Sequence, residues 1–455
     1  MGYMQNLWLR GVRAAIFLCA LVFIPVVRAE EGIKETADTL DLMILSMGLN
    51  LLIALTLLWF VVKYKENFIQ NRLFLAVISL LFLANGIHFA SESLVLLKGS
   101  SFSDRSVNFL LMMRASMDFY TATIFMLIFV LFPSPVFTQR KHMIWLGVIV
   151  ATLYILLLIV FISQIVPSTT VVLISNIFML VGFMIPIRWY LLYRDSPTQL
   201  ERNHAVAAGM LGIAILVSQG MFSWTSIFVY GGETLVASMG GVTNADVLDT
   251  VAWSVVFNHA RFVMSSMFLL YIVFKELTVA KDIVSSPLRF VALAVFFVGI
   301  LNALVNGLVE DPNLSSLWNF FAIRGTYGLV RPLLIVYLLL KFNLIDMGNP
   351  EVRKVARLVA LVLISVWVAM VFEIFQAFLP IPQLLSAAII GVVLAFLIGW
   401  EDRMFENVAK DSEDSQLHII EEFVEPDDVS RFITMGLVTM IIGCFLAFVK
   451  TGLLV

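Results

Sequence analysis

Two pairs of ionisable side chains stand inside apolar runs of this sequence, with the members of each pair one helical turn apart. His88 and Glu92 lie in one run, and Arg114 and Asp118 lie in the next. Residues four apart share a face of a helix, so each pair presents its charges in one direction. An arginine fork binds carboxylates and phosphates through paired hydrogen bonds, and an imidazole beside a carboxylate can carry a proton. These four residues are the first candidates for chemistry.

More polar residues occur inside apolar runs further along the chain. The ionisable ones are His259, Arg261, Arg324, Arg331 and Glu373, and the uncharged ones are Asn85, Gln219, Ser223, Thr225, Asn258, Asn302, Asn306 and Tyr327. An ionised side chain in hydrocarbon costs about 3 kcal/mol on insertion scales, so these groups must face protein or a wet cavity. The sequence therefore predicts a shared polar cluster in the outer half of a helical bundle, with Arg331 nearer the midplane.

Two interpretations of this cluster remain open at the level of sequence. A network of satisfied ion pairs would pin helices together. An outward-opening pocket would instead use its arginines to anchor a small polar or anionic ligand. The four arginines of the set exceed its three carboxylates, which favours the pocket. A metal bound by His88 and Glu92 is a weaker alternative, because one His and one carboxylate form an incomplete ligand set.

The elements that position these residues are membrane helices. The chain has 455 residues, of which 61% are hydrophobic and 13% are charged, and repeated apolar runs of about 20 residues predict bilayer spans. The prediction is an all-α polytopic membrane bundle of about twelve spans. They are 40–62, 73–97, 107–132, 143–166, 168–192, 205–229, 252–274, 289–309, 316–341, 357–379, 382–400 and 432–450.

The first 29 residues have the pattern of a secretory signal peptide. Arg10 and Arg13 precede a short apolar stretch, and Val27-Arg28-Ala29 fits a small-residue cleavage site. An uncleaved signal anchor is the alternative. Either interpretation places residue 30 outside the cell, so that odd spans run inward and both termini of the mature chain lie outside.

The basic residues agree with this orientation. Eighteen Lys and Arg residues fall in the predicted cytoplasmic connections, and four fall outside. The inner set is Lys63, Lys65, Arg72, Arg140, Lys141, Arg188, Arg194, Arg202, Lys275, Lys281, Arg289, Lys341, Arg353, Lys354, Arg357, Arg403, Lys410 and Arg431; the outer set is Lys34, Lys98, Arg105 and Lys450. The excess on one side follows the positive-inside rule and predicts a multi-pass protein of the cell membrane.

One predicted inner connection is long and acidic. Residues 401–430 contain eleven acidic and two basic residues. A solvated linker is the favoured interpretation, and a docking segment for a basic protein partner is the alternative.

Several classes of protein do not fit the sequence. It has no Walker loop, no dinucleotide fingerprint and no H-E-x-x-H motif, and no stretch outside the spans is long enough for a catalytic domain. Its two cysteines, Cys19 and Cys444, predict no disulfide in the mature chain. We therefore expect a non-enzymatic protein without a cofactor or a resident metal, in contact with membrane lipids and not with nucleic acid.

The stretch RGTYGLVRPLLIVYLLLKFNLIDM, residues 324–347, resembles the exit helix of the seven-transmembrane sensor region of membrane histidine kinases. The inner connection 191–204 and the later segment 391–409 are also similar to that family. The residues that carry the resemblance are Arg331, Pro332, Tyr337, Lys341, Phe342, Leu344, Ile345 and Asp346. Extra spans flank the region, and no kinase follows it.

This resemblance divides the chain into a leader, a seven-helix sensor-like region and flanking helices. The segments are 1–29, 30–106 with two spans, 107–347 with seven, 348–400 with two more, the acidic linker 401–431 and the last helix at 432–455. It implies a receptor-like or sensory protein that signals or assembles through a partner. A secondary transporter of a small polar or anionic solute is the alternative, because twelve spans suit that class.

Overall fold

The computed structural model describes most of the predicted bundle. The residues it describes are 31–64, 72–97, 103–137, 139–165, 168–230, 267–278, 288–289, 291–293, 321–345, 349–378, 388, 391–392, 417 and 425–451. Within these ranges the chain is helical apart from short turns, and no strand occurs. The predicted signal peptide, the connection 231–250 and almost all of 401–424 lie outside the described residues.

Ten helices are numbered here in chain order. They are α1 (Glu31–Lys63), α2 (Arg72–Leu97), α3 (Asp104–Leu131), α4 (Arg140–Ser163), α5 (Ser168–Tyr193), α6 (Gln199–Tyr230), α7 (267–278), α8 (Arg331–Lys341), α9 (Pro350–Phe378) and α10 (Pro426–Lys450). A π-helical stretch, Phe321–Val330, leads directly into α8.

Most predicted spans fall on these helices. Spans one to six coincide with α1 to α6, span ten with α9 and the last span with α10, while spans seven and nine are described in part. The greater part of 289–309 and of 382–400 lies outside the described residues, so the total of twelve stays a prediction. The all-helical class is confirmed for the residues described.

Six of the described helical segments are long and apolar enough to cross a bilayer. They are Leu40–Lys63, Arg72–Leu97, Asp104–Leu131, Arg140–Ser163, Gln199–Val217 and Asp427–Lys450. In α2, 78% of the most apolar window is buried within the protein, against 28% in both α4 and α10. These features indicate an integral membrane protein in which α2 is central, and α4 and α10 present apolar faces to lipid.

The bundle is built around α2 and α3. Helix α2 packs along α1 on one side and along α3 on the other, and α3 also contacts α4, α5 and α10. Helix α6 packs against α5, α8 and the π-helical stretch. The core that joins these helices is mostly aliphatic and aromatic, with Phe82, Phe125 and Phe129 among its fully buried side chains.

The last helix docks through two glycines seven residues apart. Gly436 lies against Leu80 and Tyr120, and the Tyr120 hydroxyl donates a hydrogen bond to the Gly436 carbonyl at 3.1 Å. Gly443 lies against Tyr154, whose hydroxyl is 2.6 Å from the Ser116 hydroxyl. Small residues allow helix backbones to approach closely in membranes, where packing drives association. Helix α10 is therefore an integral part of the bundle.

The main chain of the π-helical stretch is repaired by a side chain from α1. Proline has no amide hydrogen, so Pro332 cannot donate to the carbonyl of Gly328 four residues earlier. The amide nitrogen of Asn50 donates to that carbonyl instead, at 3.0 Å, and also to the carbonyl of Ser46 at 2.7 Å. A Cβ atom at Gly328 would overlap the Ser46 side chain, so this close approach requires glycine.

Two ion pairs join helix ends that the sequence places on the cytoplasmic side, which we call the inner end. Lys63 Nζ lies 2.7 Å from the Glu351 carboxylate, and the Tyr64 hydroxyl donates to the same oxygen at 2.6 Å. The hydrogen bonds from Lys63 and Tyr64 hold the pKa of the Glu351 carboxyl below its ordinary value. Both helix ends therefore lie at the same level, as the alternating topology requires.

The second pair involves the end of the acidic linker. Arg140, at the start of α4, reaches Glu425 at 2.6 Å and Asp428 at 2.7 Å. These two acids therefore bind a basic residue of the same chain. The other acids of residues 401–424 lie outside the described residues, so a role in binding a partner stays a prediction for them.

The Gly443 contact can be tested by adding one methyl group. In Gly443→Ala the new Cβ would overlap the Tyr154 hydroxyl and lie 2.7 Å from Ser116 Oγ. We expect the free energy of unfolding in detergent, followed by tryptophan fluorescence, to fall by about 1–3 kcal/mol. Gly48→Ala is the matched control, because nothing lies within 4 Å of its new Cβ. A Gly443→Ala protein as stable as the wild type would contradict this docking.

Candidate functional site

The structure brings the two ionisable pairs of the opening prediction together around His88. His88 Nδ1 lies 2.9 Å from Asp118 Oδ1, and Nε2 lies 3.4 Å from Glu92 Oε2. Both distances are those of an ion contact between a protonated imidazole and a carboxylate. An imidazolium has a donor on each side, whereas a neutral ring has only one. The histidine is therefore placed to hold two carboxylates of different helices.

Arg114 completes this group of charges. Its Nη1 atom lies 3.4 Å from Glu92 Oε1, so the arginine of α3 reaches the carboxylate of α2. In the same way the histidine of α2 reaches Asp118 of α3. Each pair that is adjacent in sequence is thus joined to the other pair across the helix contact. The four side chains form one network and not two local pairs.

Uncharged polar groups extend the network inward. Asn85 lies one turn before His88, and its Oδ1 accepts a hydrogen bond from the Tyr327 hydroxyl at 2.9 Å. The Thr121 hydroxyl approaches the same oxygen at 3.5 Å. The Tyr327 ring contacts the His88 ring edge-on, with 5.6 Å between centroids. The π-helical stretch therefore supplies one wall of the network.

Arg331 lies at the inner limit of this network. Its guanidinium carbon stands 4.3 Å from the Tyr327 ring centre and 5.6 Å from that of Phe125. Its Nη2 atom donates to the backbone carbonyl of Ile215 in α6 at 3.4 Å. Aromatic faces carry negative potential, and a cation between two of them is stabilised when it is desolvated. Arg331 thus connects α8 to α6 beneath the other charges.

The network lies near the middle of helix α3. Helix α3 has 28 residues and begins at Asp104, so Asp118 is its fifteenth residue and stands near its middle. At 1.5 Å per residue it is about 20 Å from either helix end. Glu92 is five residues from the end of α2. The polar cluster therefore runs from the outer third of the bundle to the helix midpoint.

Exposure increases across the network in one direction. The side chains of His88 and Glu92 are 3% and 11% exposed, whereas those of Arg114 and Asp118 are 31% and 49% exposed. Leu111, one turn before Arg114 on the same face of α3, is also exposed. The cluster is thus closed on the side of α2 and open along one face of α3.

The other predicted site residues cannot be joined to the network. His259 and Arg261 lie outside the described residues. Arg324 belongs to the π-helical stretch and Glu373 to α9, but the side chains of both lie outside the described part of the structure. The structure thus brings together His88, Glu92, Arg114 and Asp118, with Arg331 beneath them.

Sequence reasoning missed several participants. Thr121, Asn50 and Phe125 are ordinary residues for a membrane helix, and only their contacts show their roles. The spacing does contain one signal, because Thr121 is three residues after Asp118 and shares its face. Asn85 and Tyr327 were predicted members, and the structure places both.

The arrangement favours binding over metal chemistry. Within the described residues, no group of three or more His, Cys, Asp or Glu side chains is arranged to hold a metal ion. The network instead presents an arginine and a carboxylate at its open side, above a fully buried histidine. Such a surface can hold a zwitterionic or anionic group by paired charges.

Comparison with known proteins gives no family assignment. No protein-family model, no curated protein and no solved structure matches this chain. The resemblance to the sensor region of histidine kinases therefore stays a prediction from the sequence. What the fold defines is a class: an integral membrane protein built as a helical bundle, with a polar cluster inside it.

The network predicts energetic coupling between His88 and Asp118. We expect His88→Gln and Asp118→Asn to destabilise the protein non-additively, with a coupling energy of about 1 kcal/mol, because each removes the same interhelical contact. The measurement is a double-mutant cycle of unfolding free energies in detergent. His88→Gln combined with Asp104→Asn is the control pair and should be additive within about 0.5 kcal/mol. Equal additivity in both cycles would show that the two residues do not act together.

Proposed function

We propose that this protein is a non-enzymatic, receptor-like membrane protein that binds a small polar or anionic ligand in the polar cluster. The observation that carries the proposal is the one-sided exposure of the cluster. His88 is almost fully buried, whereas Asp118, 2.9 Å away, is half-exposed near the middle of α3. A site for a small ligand has this form, with a closed base and one open side.

A purely structural ion network accounts less well for this exposure. Ion pairs that only pin helices gain most when both partners are enclosed, since the low dielectric strengthens their attraction. A carboxylate and a guanidinium that stay partly exposed inside a membrane bundle add a cost without improving helix contact. A ligand or ordered water in front of Arg114 and Asp118 removes this cost. The exposed pair is therefore better explained as a binding surface.

The path from the site to a partner follows α10. This helix packs on α3, which carries the open pair, and begins next to the acidic linker. Glu425 and Asp428 hold its inner end to Arg140. A ligand that shifts α3 would act on α10 and on the linker through these contacts. The resemblance to a sensor region is in accord with such signalling through a separate protein.

A secondary transporter is the second candidate, and one observation favours it. The helix that carries Tyr327 and Arg331 is interrupted by a π-helical stretch directly beside the cluster. Transporters often place substrate sites at interrupted helices near the middle of the membrane. Asp118 stands near the middle of α3, which is in accord with a transporter site. Uptake of a stabilising anion by reconstituted vesicles would favour transport over sensing.

The binding proposal is tested by thermal unfolding of the purified full-length protein with a panel of small anions. The panel contains phosphate and mono-, di- and tricarboxylates at equal ionic strength. A ligand present at 100 times its dissociation constant stabilises a protein by about 2.7 kcal/mol. We expect at least one carboxylate or phosphate to raise the melting temperature of the wild type, and Arg114→Gln to lose most of this rise.

Arg105→Gln is the matched control, because Arg105 belongs to the same helix and is exposed at its outer end. It should keep the full response of the wild type. If Arg114→Gln responds as the wild type does, the arginine has no part in binding. If no anion of the panel stabilises the wild type, the cluster is an ion network without a ligand site of this chemistry.

A further inference from the structure

A second buried cluster lies at the inner end of the bundle, between α5 and α7. At its centre is the Glu276 carboxylate, which is fully enclosed. The Tyr190 hydroxyl donates to one carboxylate oxygen at 2.9 Å, and Arg194 binds both oxygens, with its Nη2 atom 2.7 Å from Oε2. This carboxylate is therefore already neutralised by one arginine.

A second arginine, Arg289, lies in the cluster, and no carboxylate pairs with it in the described part of the chain. Arg289 Nε donates to the backbone carbonyl of Glu276 at 2.7 Å, and the residue is only 2% exposed. Its Nη1 and Nη2 atoms are enclosed, and neither has a hydrogen-bond partner in the described part of the chain. The hydrogen bond from Nε holds the guanidinium in place. The two terminal nitrogens, Nη1 and Nη2, remain as an adjacent pair of donors.

The charges of the cluster do not balance. Lys275 pairs with Asp195 at 2.8 Å, and Arg194 pairs with Glu276, so the charge of Arg289 is left over. Burying an unpaired charge is costly, and buried guanidinium groups are normally paired with an anion. The described cluster therefore lacks one negative charge, at a place where a fork of two N–H donors is held in position.

The predicted topology and the nearby aromatic residues place this cluster at the level of the inner lipid headgroups. Helix α5 ends at Tyr193, and aromatic residues gather there: Trp189 packs on Tyr193 at 4.9 Å, and Tyr190 meets Tyr271 edge-on at 6.4 Å. Tyrosine and tryptophan mark the boundary between hydrocarbon and headgroups. Basic pockets between helices at this boundary bind the phosphates of anionic lipids.

We propose that the Arg289 guanidinium is a binding site for a phosphate oxoanion at the inner end of the bundle. The guanidinium fork matches two oxygens of a phosphate and is held for this by the Glu276 carbonyl. The cluster reaches the surface at Arg194 and Lys275, whose side chains are 15% and 14% exposed. The proposal requires the side chains that enclose Nη1 and Nη2 to move aside when the oxoanion enters.

The phosphate can come from an anionic lipid headgroup or from solution, and the experiment separates these sources. Full-length protein is stripped of lipid in detergent and given phosphatidylglycerol, phosphatidylcholine or inorganic phosphate. Bound lipid is counted by native mass spectrometry, and the melting temperature is compared with that in chloride at equal ionic strength. The variants are Arg289→Met and the control Arg188→Met, since Arg188 is exposed on α5.

We expect wild type and Arg188→Met to bind the phosphate ligand, and Arg289→Met to bind it roughly tenfold more weakly, because a charge-assisted bond is lost. A response to phosphatidylglycerol alone identifies a lipid headgroup as the source. A response to inorganic phosphate as well shows that the free ion suffices.

Two results would overturn the proposal. One is a wild-type protein that retains phosphatidylglycerol no better than phosphatidylcholine and is not stabilised by inorganic phosphate. The other is an Arg289→Met protein that binds as the wild type does. If Arg289→Met fails to fold, Arg289→Lys takes its place, since lysine keeps the positive charge but lacks the paired N–H donors. The comparison of phosphatidylglycerol with phosphatidylcholine uses the wild-type protein alone and does not depend on any variant. Neither result bears on ligand binding at the outer cluster.

Discussion

A charged side chain inside a bilayer has to face another polar group, and this constraint decides which helices of the chain are neighbours. Close packing at small residues also joins helices, as the glycines of α10 show, but a buried charge restricts the choice of neighbour further because it needs a polar partner. The contacts of His88 with Asp118 and of Arg114 with Glu92 hold α2 and α3 in one register. Arg331 ties α8 to α6 beneath them. The arrangement of these helices therefore depends on a few charged side chains that are costly to bury without a partner.

The same constraint governs the main chain. Pro332 cannot donate to the Gly328 carbonyl as an α-helical residue would, and a carbonyl in hydrocarbon cannot turn to water. Asn50 supplies the missing donor, and the absence of a side chain at Gly328 allows α1 to come close enough. The interrupted helix is consequently stable beside the polar cluster. Tyr327, on the interrupted stretch, is thereby presented to Asn85 and to the His88 ring.

The helices and the charged pairs could be read from the sequence, because apolar length and a spacing of four residues are local properties. The partners across helices could not, since the choice of Glu92 for Arg114 depends on the packing of α2 on α3. A proline in span nine predicts a kink, but not that a residue nearly 280 positions earlier repairs it. The Arg289 and Glu276 cluster could not be recognised from the sequence for another reason. Basic and acidic residues near span ends are ordinary for a membrane protein, and only their enclosure distinguishes them.

We propose that the outer cluster opens to an aqueous space at Asp118, and thiol accessibility tests this proposal most directly. Asp118→Cys and Phe445→Cys are compared in a background without Cys19 and Cys444. Phe445 is exposed on α10, an apolar helix long enough to span the membrane, where we expect lipid. A charged methanethiosulfonate reagent reacts with thiolate, which forms in water and not in hydrocarbon. The account predicts that Asp118→Cys reacts about tenfold faster or more than Phe445→Cys. Equal, negligible rates at both positions would mean that the network is sealed and that no ligand enters it.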